Sequence, residues 1–191
     1  RDYCIYVLQA YGVLMSVHSF QTELNYSHEN EGAGFWVEAY NYFFPNHAAV
    51  IRHSQNGDHQ RLGIDTTVVM PNSKTYRIDE KLRRGEWTDI LLEEYSDRDR
   101  HTLGWIIKPV LCDFFLYAVP AAGKAYLLPC GPLQAAWRAN ADQWRRTCKR
   151  ITVDNHDPAT GRTWTSINWA VEENVLFPAI GAQFRLCLKQ G

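Results

Sequence analysis

The sequence predicts one α/β domain, a central mixed β-sheet flanked by helices. Three observations carry that prediction. First, Arg61 to Met70 is rich in β-branched residues (Ile64, Thr66, Thr67, Val68, Val69). It breaks at Pro71-Asn72-Ser73-Lys74 and resumes as an alternating run from Thr75 to Arg84, which reads as strand, turn, strand. Second, Pro132 to Arg150 has helical periodicity through Leu133, Ala136, Trp137, Ala141, Trp144 and Cys148, with Gly-Pro at its first turn. Third, the order helix, several strands, helix, more strand is that of helices packed on a sheet. With 191 residues, 46% of them hydrophobic, the chain can bury one good core but is short for two.

Taken in order, Ile5 to Met15 is apolar but interrupted by Gln9 and Gly12, and it is shorter than the about 20 residues that cross a bilayer. Its basic lead-in is only Arg1, followed by Asp2, which argues against a signal peptide. We expect residues 1–14 to be an extension, a native start at Met15, and a single domain over 15–191; any natural peptide from residues 1–14 would refute that start. Residues 33–44 place Phe35 or Trp36, Ala39 and Phe43 at helical spacing and stop at Pro45. Ala48 to His53 reads as a short strand before a polar turn at 54–58 centred on Asn56-Gly57. Thr88 to Tyr95, Cys112 to Val119 and Ala125 to Leu128 read as further strands, the last two separated by Pro120-Ala121-Ala122-Gly123. Residues 153–162 read as loop, 164–171 as strand, and 177–188 as a closing helix or strand.

Composition narrows the function classes. With a formal net charge of −1 nothing marks the whole protein as a polyanion binder, so any nucleic-acid surface must be a local patch. The five cysteines (Cys4, Cys112, Cys130, Cys148, Cys187) are dispersed and odd in number, with no C-x-x-C pair, which fits a reducing, cytoplasmic setting. Cys112 beside Asp113 lacks a nearby histidine and reads as a buried thiol. No H-E-x-x-H, nucleophile elbow or phosphate-binding glycine loop is present, and Gly32-x-Gly34 lacks the third glycine of a dinucleotide site.

The residues most suited to chemistry are Asp65 and, fourteen positions on, Asp79-Glu80-Lys81. Two acids can hold Mg²⁺ beside a phosphate, and a lysine two residues from the second acid can reach the attacking water or a phosphate oxygen. Strand alternation puts Arg77, Asp79, Lys81 and Arg83 on one face and Tyr76, Ile78, Glu80 and Leu82 on the other. Register decides which of them Asp65 meets. A four-residue loop at 71–74 pairs it with Glu80, while a three-residue loop sets it opposite Lys81 with Asp79 diagonal. We favour Asp79, which shares a face with Lys81. The competing reading makes the triplet a solvated strand face and Asp65 a turn residue.

Gly63-Ile64-Asp65 and Ile78-Asp79-Glu80-Lys81 resemble the core of the PD-(D/E)xK nuclease superfamily, with Ile-Asp standing for Pro-Asp. The wider stretch, through Leu91-Leu92-Glu93 and Gly104-Trp105-Ile106 to Cys112-Asp113-Phe114-Phe115, is similar to small phage-type members of unassigned role. The resemblance spans about residues 35–150. It implies a restriction-endonuclease-like α/β sandwich and Mg²⁺- or Mn²⁺-dependent endo- or exonucleolytic cleavage of DNA, in the host cytoplasm if phage-encoded. Asp65 and Asp79 would be metal ligands, the Glu80 backbone carbonyl a further one, and Lys81 the group that orients or activates water. Glu38 or Glu93 would supply another acid, with Glu93 ahead.

Basic residues on the long helix are candidate nucleic-acid contacts. Arg138, Arg145 and Lys149 fall at i, i+7 and i+11 and would line one side, and Arg83 and Arg84 follow the Lys81 strand. Lys149 and Arg150 equally suit the negative end of the helix dipole. The expected partner is DNA, with no membrane and with a homodimer allowed. The alternative is an inactive module of the same fold that binds nucleic acid or a protein.

Overall fold

A computed structural model describes residues 17–19, 34–53, 62–181 and 185–187. The expected extension at 1–14, the start at Met15 and the turn at 54–58 lie outside the described residues. Among the described residues the architecture is mixed α/β, with two mainly antiparallel sheets and three helices.

One sheet is built from β2 (Ala49–Arg52), β3 (Thr66–Val69), β4 (Thr75–Leu82), β7 (Phe114–Val119), β8 (Lys124–Pro129) and β11 (Arg185–Cys187), in the order β11-β8-β7-β4-β3-β2. Its β4–β7 pair is parallel. The other contains β1 (Val17–Ser19), β5 (Asp89–Asp97), β6 (Thr102–Leu103), β9 (Lys149–Asp157) and β10 (Arg162–Glu172), in the order β1-β9-β10-β5-β6. The helices are α1 (Gly34–Phe43), α2 (Cys130–Thr147) and α3 (Glu173–Ile180).

The first sheet is buried on both faces, so its central strands alternate between two apolar clusters. Phe115, Tyr117 and Val119 of β7, with Tyr126 and Leu128 of β8, pack among α2, α3 and residues of β5 and β10 such as Ile90, Leu92, Trp169 and Val171. Leu116, Ala118, Ala125 and Leu127 turn the other way, onto Trp36, Ala39, Tyr40 and Phe44 at α1. The second sheet thus shares the main core with the first. That is a departure from the single central sheet the sequence predicts.

The departure traces to β9. Residues 153–157 read as loop because of Asp154, Asn155, His156 and Asp157, but they pair with β10 on one side and, in parallel, with β1 on the other. Backbone pairing on both edges supplies what local propensity does not. The long helix also ends sooner than its periodicity suggests. It stops at Thr147, Cys148 is extended, and Lys149 opens β9. The chain end resolves into α3, closed at Gly181 (φ 65°), and then β11, so the segment holds a helix and a strand. The break at 120–123 is a 3-10 turn ending at Gly123 in the left-handed region, and it joins β7 to β8 as a hairpin.

The β3–β4 hairpin has neither of the two registers considered above. Thr66 pairs with Ile78 and Val69 with Thr75. Met70 N–H donates to Lys74 O at 2.8 Å and Ser73 N–H to Met70 O at 2.9 Å, so three residues, centred on Asn72, close the turn. Ser73 takes φ 65°, the left-handed residue that such three-residue loops require. Continued by one step, this register sets Asp65 opposite Asp79. The ladder loosens there, and Asp65 caps it: its N–H donates to Ile78 O at 2.9 Å, and its Oδ2 accepts the Glu80 N–H at 2.8 Å.

Candidate active site

Strand alternation sorts the Asp-Glu-Lys triplet between two environments. Glu80 turns toward α1 and is held there on all sides. Tyr40 Oη donates to it at 2.5 Å, Arg52 Nη1 donates to both oxygens at 3.1 and 2.9 Å, and Thr66 Oγ1 donates at 3.0 Å. Burial and the Glu80 carboxylate push the Tyr40 hydroxyl well above its ordinary pKa, so it stays a donor. The Glu80 side chain is therefore absent from the Asp79 face, and only its backbone is left to serve a metal. Glu38 rides on α1, the helix that packs on the Glu80 side.

On the opposite face Lys81 Nζ donates to Asp79 Oδ1, forming an ion pair whose acid is 2% exposed and whose lysine is 25% exposed. Asp65 lies close enough to act electrostatically on both. Glu93 arrives from β5 in the second sheet, feels Lys81, and accepts a hydrogen bond from the Trp105 backbone N–H. Asp65, Asp79 and Glu93 thus all act on Lys81.

Two glycines make the approach possible. A Cβ on Gly104 would stand 2.2 Å from Glu93 O and 2.8 Å from Glu93 Cγ, so only glycine lets the 104–108 turn lie across β5 and offer the Trp105 N–H. A Cβ on Gly63, where φ is 70°, would sit 3.0 Å from Val110 Cγ1 and 3.2 Å from Asp79 Oδ2. Gly63 therefore lets its backbone lie close against Val110 and against the carboxylate oxygen that Lys81 does not hold.

Burial pushes the Asp79 carboxyl up to about 6; Lys81 opposes that rise and Asp65 adds to it. Burial also works against the Lys81 ammonium, but the Asp79 and Asp65 carboxylates, with Glu93, outweigh it and hold its pKa above the ordinary value. Among the protein's own charges Lys81 is thus a firm cation, suited to holding water or phosphate and not to taking up a proton. Glu93 is raised by burial, against Lys81 and the Trp105 hydrogen bond.

Sequence reading overlooked Lys108, whose charge acts on both Asp79 and Glu93. It lies in the irregular segment between β6 and β7, where no periodicity points to it; proximity to Gly104 was the one available signal. The basic candidates fare differently. Arg138 is exposed on α2. Arg145 is tied to buried Glu94 at 2.5 Å and to Asp142 at 2.9 Å, and Trp169 Nε1 donates to the other Glu94 oxygen at 2.6 Å. Lys149 has left the helix for β9, so the row at i, i+7 and i+11 does not form. Arg83 pairs with Asp89 and lies 4.9 Å from the Trp87 ring centroid, and Arg84 is half-buried.

Cys112 and Cys130 are buried free thiols. Among the described residues no three His, Cys, Asp or Glu side chains are gathered closely enough to hold a metal by themselves. No helix among them is long and apolar enough to cross a membrane. Comparison with protein-family models, curated proteins and solved structures finds no match for this chain.

Proposed function

We propose that this chain is a metal-dependent nuclease of the restriction-endonuclease-like fold that hydrolyses phosphodiester bonds in DNA. The observation that carries the reading is the convergence of Asp65, Asp79 and Lys81 at the open end of one hairpin, with Glu93 joining from another sheet. Mg²⁺ retains several waters and takes as few as one or two protein carboxylates, so the pair Asp65 and Asp79 meets its demand without a third clustered acid.

Asp65 and Asp79 would hold the Mg²⁺ or Mn²⁺, with Glu93 and the Glu80 carbonyl as further ligands. When bound, the cation would neutralise charge on the phosphate and acidify a water. Lys81, held protonated by its carboxylate neighbours, would orient a water or grip a phosphate oxygen. Asp79 keeps Lys81 in place and the Trp105 N–H keeps Glu93 in place. The inactive-module alternative draws support from the Asp79–Lys81 pair, which occupies one carboxylate oxygen.

The test is cleavage of DNA with Mg²⁺ or Mn²⁺ by the wild type, Asp65→Ala and Lys81→Ala. Loss of cleavage in both variants, with thermal unfolding retained, is the expected result. A wild type that cleaves neither DNA nor RNA with either metal turns the reading to the binding module.

A further inference from the structure

Among the described residues Lys81 is one of two lysines whose charge acts on these carboxylates. Lys108 comes from the segment between β6 and β7, which is pinned along its length. Ile107 and Lys108 N–H both donate to Gly104 O, at 3.1 and 2.9 Å. Gln134 Nε2 of α2 donates to Trp105 O at 3.4 Å and to Lys108 O at 3.0 Å. Further on, Leu111 N–H donates to Leu62 O at 2.9 Å, and Val110 packs into the space beside Gly63 and Asp79. Lys108 is thereby carried on a fixed support between Glu93, which Gly104 crosses, and Asp79, which Val110 abuts.

The two lysines differ in how they are engaged. Lys81 is paired with Asp79, while the Lys108 ammonium makes no hydrogen bond or ion pair among the described residues. Asp65, Asp79 and Glu93 set three acids around the single charge of Lys81, an excess that would repel an approaching phosphodiester. A divalent cation cancels that excess and no more. One further positive charge is needed to make the site attract a phosphate, and Lys108 is the cation in place to supply it.

We propose that Lys108 is a second phosphate-binding cation of this site, donating to a non-bridging oxygen of the nucleic-acid backbone. The proposal rests on the nuclease reading and adds a contact that the strand motif does not contain. A lysine present only to neutralise the acids would stabilise the fold and make no phosphate contact, and the two roles give different salt dependence.

The experiment is fluorescence anisotropy of a labelled DNA duplex and of its single strand, with Ca²⁺ in place of Mg²⁺ so that binding is read without cleavage. Wild type, Lys108→Ala, Lys108→Gln and Lys108→Arg are titrated between about 50 and 200 mM salt. We expect Lys108→Ala and Lys108→Gln to bind about tenfold more weakly, as loss of one charge-assisted hydrogen bond predicts. Their slope of log affinity against log salt should be shallower by about 0.9, the signature of one lost phosphate contact, and Lys108→Arg should restore it. Lys108→Gln guards against a folding defect in the alanine variant, and thermal unfolding checks both. Folded variants with the wild-type slope overturn the Lys108 role and leave the nuclease reading standing. A wild type that binds neither probe overturns both.

Discussion

Asp79 is a carboxylate that its own strand position buries. Its neighbours in the parallel pair are the core residues Phe115 and, one step on beside Lys81, Tyr117, so its charge is desolvated and its pKa rises from 3.8 to about 6. Because the folded value is the higher one, the native state holds this proton more tightly. The resulting stability is fully present below about pH 4 and is lost as pH rises through about 6. Asp79→Asn cannot ionise and should escape that loss. Its unfolding free energy relative to wild type should rise by about 2 kcal/mol between pH 4 and 7, measured by urea denaturation without divalent metal. A difference that stays flat with pH would sink the assignment. The division of the triplet, with Asp79 and Lys81 on one face and Glu80 on the other, was legible in the sequence because a strand has a period of two. Lys108 was not, because an irregular segment has no period to read.

At the scale of elements, Glu80 ties α1, β2, β3 and β4 together through Tyr40, Arg52 and Thr66. Glu80→Ala leaves an arginine and two hydroxyls without their acceptor and should cost about 3 kcal/mol, read from the midpoint of chemical denaturation. A loss below about 1 kcal/mol would show the network to be dispensable. Gly104→Ala drives a methyl into the Glu93 backbone, and relief requires the 104–108 turn to lift off β5. We expect a cost of about 2 to 3 kcal/mol. On the proposed nuclease reading metal-dependent cleavage should fall as well, since Glu93 loses the Trp105 N–H; full cleavage with normal stability would refute this role for the glycine. The hairpin was legible from Val68, Val69 and the Pro71 turn, but its register was not. That depended on Ser73 adopting φ 65°, which the string Pro-Asn-Ser-Lys permits without dictating.

At the scale of the whole molecule, one apolar cluster runs through both sheets, α2 and α3, so the second sheet has no core apart from the first, which packs a further cluster against α1. Thermal unfolding should therefore be a single transition, with calorimetric and van't Hoff enthalpies in agreement and tryptophan fluorescence coincident with far-ultraviolet circular dichroism. Two separated transitions would mean that the second sheet melts alone. The sequence by itself determined the class of secondary structure in most segments and the face of Asp79 and Lys81. These follow from local periodicity and from the side chains' own chemistry. Tertiary structure alone decided that there are two sheets, that polar residues 154–157 form a strand, and that α2 gives way to β9 before Lys149. It also decided that Lys108 joins the acids. Each of these depends on hydrogen-bond partners and packing surfaces contributed by residues far along the chain, and local pattern carries no information about them.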